Sequence, residues 1–392
     1  MKPIDVSSVR SQFPALEQYT WFQNGGVSIT PRPVADVHAQ LMEELLRRGP
    51  MHIVHPDEEY PRRERTRATL ARFFGVGPES VAVMRGVSEG FLTVLRGIDW
   101  HEGDEVVVTT DEEAALLLPV LAMRDQQGVV IRKMPLVDGT ADEQVAALEA
   151  CLSERTRLVA ISHVTTDLGF RLAVKELCDS VRQAGAWSFV DMAHSCGVFP
   201  IDLVDTGCDF AGLLSYKWMY SPYAAGLLYV SPGRIGDLPV PFPGGRSESR
   251  LDFETDQFEL HETAERFQFG PWAWPLVHAW AAACDWLDDI GVPAIAERTS
   301  ALTNRLKRGL SEISGVSLWT PMSFDRSAAL VSMGLAGWTG EDLAATLRER
   351  WNMIVKPLPH TREGLRISVP FFLEEDEIDW LLEALRELAT CS

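Results

Sequence analysis

The chain has 392 residues, with 36 Lys plus Arg against 56 Asp plus Glu and a net charge of −20. That excess of negative charge argues against nucleic acid or an anionic membrane surface as partner, because either would be repelled, yet it leaves room for an anionic cofactor held by a local positive field. The six cysteines, at 151, 178, 196, 208, 284 and 391, show no CxxC or metal-like spacing, no run of about 18 apolar residues occurs, and no basic-then-apolar leader opens the chain, so a reduced, cytoplasmic protein is expected.

In chain order, residues 1 to 20 hold a short helix, with Ser7 or Ser8 as N-cap and Phe13-Pro14 as stop. Trp21 to Gly26 passes from strand to loop; the paired glycines after Asn24 let backbone approach a ligand closely, or simply make an Asn-Gly turn. Residues 33 to 48 form an amphipathic helix. His52 to Pro61 reads as a polar loop whose two histidines lack a further ligand at zinc-like spacing, and residues 61 to 74 read as a basic helix. Ser80 to Met84 is a short apolar strand running into Arg85-Gly86-Val87-Ser88-Glu89-Gly90 and an apolar helix, Phe91 to Ile98. Strand, small-residue turn and helix start make a recipe for a phosphate cradle, since free amides and the helix dipole both favour an anion there.

Glu105 to Thr109 is a buried strand followed by Asp111, Glu112 and Glu113, three acids suited to a helix N-terminus. Val129 to Met134 and Arg157 to Ile161 continue the strands, with a helix of residues 141 to 152 between them. Helix Val174 to Ala184 leads to a strand, Ala186 to Val190, that ends on Asp191. A further strand, Asp209 to Leu214, ends on Ser215, Tyr216 and Lys217. The alternation predicts a mostly parallel sheet with helices on both faces, Leu227 to Val230 being the antiparallel strand. Open parallel sheets bind ligands beyond the carboxyl ends of their strands, so the polar residues there are site candidates. Lys217, beside Trp218 and between apolar runs, is expensive to keep charged, which fits a lowered pKa and imine chemistry. Residues 231 to 268, too long for an ordinary connection, read as a lid or subunit-contact loop. Trp272 to Ile290 is a long apolar helix whose tryptophans pack core, and residues 291 to 392 form a smaller α+β unit.

In this order Asp191-Met192-Ala193-His194, Asp209, Ser215-Tyr216-Lys217-Trp218, Pro222 and Gly226 to Val230 resemble the pyridoxal-phosphate enzymes of the class V aminotransferase group. Isopenicillin N epimerase-like proteins, cysteine desulfurases and kynureninase belong to that group. The resemblance implies an α/β, aspartate-aminotransferase-like fold with a seven-stranded sheet. It divides the chain into an N-terminal segment (1–20), a cofactor-binding domain (21–270), a connecting helix (271–290) and a small C-terminal domain (291–392). It also implies pyridoxal 5′-phosphate (PLP), in Schiff-base linkage to Lys217, with Asp191 keeping the pyridine nitrogen protonated so that the ring can accept electrons. By the same resemblance His194 lies near the ring, Gly86, Val87 and Ser88 hold the phosphate, and Thr166, Ser215 and Tyr216 complete the cofactor site. Arg366, in Gly364-Leu365-Arg366-Ile367-Ser368, grips the α-carboxylate of an amino-acid substrate with its planar fork, Asn24 and Gly25 enter from the N-terminal side, and two copies form a homodimer.

The chain departs from the group in three places. No aromatic ring or histidine stands in Asp111 to Ala115, where the group carries a ring-stacking residue. Pro271 replaces the threonine of a Gly-Thr pair that reaches a partner's phosphate. Residues 352 to 365 contain no cysteine, the nearest in sequence being Cys391, and this leads to the expectation of an enzyme that is not a persulfide-forming desulfurase. What remains is chemistry begun at Cα with Lys217 moving a proton. The expected activity is a lyase eliminating a β-substituent through a C–S bond, or an aminotransferase-like enzyme of specialised metabolism. Epimerase or racemase and kynureninase-like hydrolase activities are alternatives, as is a non-catalytic relative that keeps the fold.

Overall fold

The computed structural model describes residues 4–358 and 362–390, so Cys391 and residues 359–361 of the stretch 352–365 lie outside it. Strands that are apolar on both faces belong in the middle of a molecule, and the runs between residues 81 and 230 are of this kind. After a short β1 (Thr20–Trp21) come β2 (Val81–Met84), β3 (Glu105–Thr109), β4 (Val130–Met134), β5 (Thr156–Ser162), β6 (Trp187–Asp191), β7 (Phe210–Leu214) and β8 (Gly226–Val230). From β2 to β8 they build one seven-stranded sheet in the order β2-β8-β7-β6-β5-β3-β4. Strands β3 to β7 pair in parallel, and β8 runs against both β2 and β7. This is the α/β architecture expected, odd antiparallel strand included.

Alternation along each strand feeds two cores. Val81, Val83, Val107, Val159, Ile161, Val190, Ala211 and Leu213 point to one face, where they meet Leu177 and Val181 of the helix Val174–Gln183 and Trp280 of the helix Trp274–Ile290. Ala82, Met84, Val106, Val108, Leu158, Ala160 and Phe189 point to the other, against Phe91 and Leu95 of Val87–Gly97 and Leu116 and Val120 of Ala114–Gln127. The first core continues without a break into Val331, Met333, Leu365 and Ile367, and so carries the C-terminal sheet with it.

The stretch 231–268 is not a plain loop: β9 (Glu248–Asp252) and β10 (Gln257–Leu260) make an antiparallel hairpin within it. Likewise His52 to Pro61 is mostly helical, Met51–Val54 and then Pro56–Phe73, because Pro56 takes the first helical position where its missing N–H costs nothing. The second sheet contains β11 (Val316–Leu318) and β12 (Leu330–Leu335); β13 (Met353–Ile354) instead pairs in parallel with β1, and β14 (Lys356–Pro357) and β15 (Leu365–Ser368) complete the second sheet in the order β11-β12-β15-β14. The β1–β13 pair ties residues 20–21, just before Asn24 and Gly25, to the strand that precedes Lys356.

One glycine joins the two halves of the cofactor-side edge. A Cβ on Gly226, the first residue of β8, would lie 2.5 Å from Gly86 Cα and 2.6 Å from Leu213 O, both backbone atoms that cannot swing away. Gly226→Ala should therefore cost about 2 kcal/mol or more of stability, as backbone overpacking does, and push the 85–88 turn outward. Thermal unfolding and retention of the expected PLP report the two effects; an unchanged melting temperature contradicts the packing described.

Candidate active site

The parallel register of β5, β6 and β7 sets Ser162 opposite Asp191, so β5 and β6 finish at one level, while Asp191 lies opposite Gly212 and β7 runs on to Leu214, all three ending at the same edge of the sheet. Beyond that edge lies a cavity of about 860 Å³. Asp191, Lys217, Tyr216, Gly86, Val87, Ser88, Gly25 and Arg366 line it, as do Glu113 and Lys356.

Lys217 is buried, and burial lowers its pKa to about 8 against the opposing pull of Glu113 and Asp191. Its Nζ lies 3.2 Å from His194 Nε2. Trp218 Nε1 donates to His194 Nδ1 at 3.4 Å, and burial, then Lys217, push the imidazole far below its ordinary pKa, so the ring is neutral. With Nδ1 accepting, the ring proton sits on Nε2 and faces Lys217, whose Nζ accepts it when the amine is in its neutral form. Asp191 is also buried; its Oδ1 accepts from Ala193 N at 2.7 Å, and burial raises its pKa to about 6 although Lys217 pulls the other way. Such a carboxylate lacks a full cationic partner, and a pyridine N–H⁺ is one.

On the opposite wall Arg366 is 1% exposed. Its Nη1 donates to Thr166 O and Thr166 Oγ1, both at 2.9 Å, while Nε has no partner among the described residues. Lys356 is the cross-strand neighbour of Arg366, and burial followed by that arginine lowers its pKa. The phosphate candidate is built from backbone. Gly86 is the N-cap of Val87–Gly97, no side chain caps that end, and a Cβ on Gly86 would meet nothing within 4 Å. The first-turn amides of Val87 and Ser88 have no acceptor within the helix and open onto the cavity.

Not every residue singled out from sequence reaches the cavity wall. Ser215 turns away: its Oγ donates to Pro222 O, fixing the loop behind Lys217. His194 stands behind Lys217, and Thr166 is spent on Glu113 and Arg366. Asn24 is fully buried, leaving Gly25 and Gly26 as the residues of that segment in the wall, the Gly25 N–H bound to Ser368 Oγ at 2.8 Å. Sequence reasoning missed Lys356 and the role of the 111–113 acids. Their signal was position, since Glu113 follows β3 at the carboxyl edge of the sheet. Asp111 accepts from the amides of Asp167 and Leu168. Glu112 is buried and accepts from Thr109 Oγ1 and Ser162 Oγ, each at 2.7 Å; burial raises it to about 7. Only Glu113 enters the cavity.

A lysine and an aspartate on adjacent strand ends, facing a backbone anion cradle across an α/β sheet, define a PLP-dependent enzyme of fold type I. The aminotransferase class-V family profile matches residues 20–381, and the chain belongs to that family. It is 30% identical over 400 residues to a probable cysteine desulfurase of Pseudomonas aeruginosa, with 96% of each chain covered. It is 29% identical over 338 residues to isopenicillin N epimerase of Streptomyces clavuligerus, covering 82% of this chain and 83% of that one. Two solved structures of C-DES are each 25% identical and cover 96% of this chain and 99% of theirs. One carries glycine covalently linked to the PLP cofactor (TM-score 0.88), and the other is the cystine C–S lyase with its product cysteine persulfide (TM-score 0.87). The cofactor is pyridoxal 5′-phosphate, and the Gly86 cradle, the buried Asp191 and Lys217 fit it.

These relatives correct one expectation. The absence of a cysteine from residues 352 to 365 does not exclude desulfuration: curated relatives along nearly the whole chain are named probable cysteine desulfurases, and the reaction product of the cystine C–S lyase C-DES is cysteine persulfide. Among the described residues no helix is long and apolar enough to cross a membrane.

Glu112 yields a test of the site's electrostatics. Its carboxyl titrates at about 7 when folded against an ordinary value of 4.5, so between these pH values the unfolded chain carries a charge that the folded one refuses. Ionisation therefore costs stability increasingly as pH rises through this window and fully above it. Glu112→Gln removes the cost, and its stability relative to the parent should improve by up to about 3 kcal/mol between pH 4.5 and pH 8. Denaturant unfolding at both pH values measures it; a difference that does not change with pH contradicts the assignment.

Proposed function

We propose that the protein cleaves the Cβ–S bond of cysteine or a close relative such as cystine. The observation that carries this reading is the buried Lys217, lowered toward neutrality and set between Asp191 and the half-free guanidinium of Arg366. Bound PLP supplies an electron sink for the pair left at Cα. Arg366 holds the substrate carboxylate in a bidentate grip that Nε leaves available. Lys217 in its neutral form takes the Cα proton, the Cβ–S bond then breaks with its electron pair going to sulfur, and the sulfur leaves as thiolate or persulfide. Asp191 keeps the pyridine nitrogen protonated, and His194 keeps Lys217 positioned by its Nε2–H. The names of the desulfurase relatives and of the C–S lyase C-DES support sulfur as the leaving atom. Epimerisation at Cα is the second reading, favoured by the likeness to isopenicillin N epimerase.

The purified holoenzyme incubated with cysteine and cystine in deuterated water should release sulfide or persulfide with a keto acid. Cα deuteration of recovered amino acid without sulfur release would favour epimerisation instead. After borohydride reduction, peptide mass spectrometry should find the cofactor on the peptide containing Lys217; a label on any other lysine refutes the assignment.

We also propose that two copies form a homodimer in a reducing, cytoplasmic setting. Support for the dimer comes from the β9–β10 hairpin, which exposes Phe253, Phe258 and Leu251, an apolar surface that a second copy would cover. Support for the setting comes from the five free cysteines among the described residues. Sedimentation at working concentration should give a dimer, and an active monomer there rules it out.

A further inference from the structure

One carboxylate of the cavity, Glu113, lies outside the set of residues assigned above to the cofactor. Glu113 is the N-cap of the helix Ala114–Gln127, and its side chain bypasses the usual capping bond. Instead Oε2 accepts from Thr166 Oγ1 at 2.7 Å, and that same hydroxyl oxygen accepts from Arg366 Nη1 at 2.9 Å. A hydroxyl has one proton, so the direction of the chain is set: Arg366 donates to Thr166, and Thr166 donates to Glu113. A cation and an anion thus face the cavity separated by a single oxygen. The charged groups acting on Glu113 are Lys217, Arg366 and Lys356; burial would raise its pKa, but together with Thr166 they hold it below the ordinary carboxylate value.

An α-amino acid reaches the site as a zwitterion, a carboxylate and an ammonium one carbon apart. A wall made only of Arg366, Lys356 and Lys217 would attract the first group and repel the second. We propose that Glu113 is the specificity-determining residue that receives the substrate's α-ammonium while Arg366 receives its α-carboxylate, so that the amine is delivered beside Lys217. Arg366 Nε, buried on the cavity and without a partner among the described residues, is the complementary half of this clamp. The inference rests on the reading of the cavity as an amino-acid site and adds to it the group that distinguishes an amino acid from the corresponding acid without nitrogen.

The PLP-loaded parent, Glu113→Gln and Arg366→Ala are titrated with cysteine, following the visible cofactor band, and again with 3-mercaptopropionate as competitor. In Glu113→Gln the half-saturating concentration of cysteine should rise about tenfold or more, the usual loss for a charged hydrogen bond, while that of 3-mercaptopropionate should stay the same or fall. Arg366→Ala should weaken both ligands. Without ligand, the pH at which the cofactor band shifts should fall in Glu113→Gln, because a neutral amide no longer favours positive charge at Lys217, and Glu113→Asp should restore part of it. Equal losses for both ligands in Glu113→Gln, or no loss for either, overturn the inference, whereas a parent whose band does not respond to cysteine overturns the proposed function. Matching thermal unfolding of Glu113→Gln and parent separates recognition from a structural role.

Discussion

A sheet that is apolar on both faces leaves its strands one place for polar groups, their ends. In this protein β3, β5, β6 and β7 run parallel, and their register brings those ends to one edge of the sheet. Glu112, Ser162, Asp191 and the Ser215-Tyr216-Lys217 loop then share one edge by construction. Everything that gives the cavity its chemistry depends on that parallel register. A one-residue slip in any strand would exchange its two apolar faces and also move its terminal residue away from the edge.

Concentrating charge at one buried edge is costly unless the signs alternate. The edge carries Lys217, Lys356 and Arg366 against Asp191 and Glu113, and each group shifts its neighbours: the acids hold Lys217 above where burial alone would put it, and the cations hold Glu113 down. Asp191 and Glu112, by contrast, are dominated by burial and rise. The two acids therefore differ in what they lack. Glu112 is satisfied by hydroxyls and locks β3 to β5, while Asp191 accepts from the Ala193 amide and opens onto the cavity, the state of a carboxylate that awaits a cationic partner.

The C-terminal unit contributes through one continuous core and a few polar links. Arg366 crosses to Thr166, Ser332 and Thr320 bind the carbonyls of Asp167 and Leu168, and β13 pairs with β1. Family membership and cofactor follow from this scaffold together with the comparisons. The fate of the substrate does not, because desulfurases, a C–S lyase and an epimerase share the scaffold, and function resides in the site rather than the fold.

Much of this was legible in the sequence. Apolar runs of strand length, each ending on a polar residue, announced the parallel sheet, and Asp191 and Lys217 at their strand ends marked the edge on which the cavity opens, because strand periodicity and strand ends are local properties. What the chain order could not show is which residues meet across it. Glu113 reads locally as one of three acids at a helix start, and only the docking of β3 beside β5 turns it toward Thr166 and Arg366, more than fifty and two hundred and fifty residues away. Lys356 reads as a loop residue until β14 pairs with β15. Ser215 stands beside Lys217 in sequence yet faces Pro222, since neighbours in a tight loop point in different directions. Side-chain chemistry is written residue by residue, but the balance of charge in a buried cavity is a property of long-range packing, and only the tertiary structure decided it.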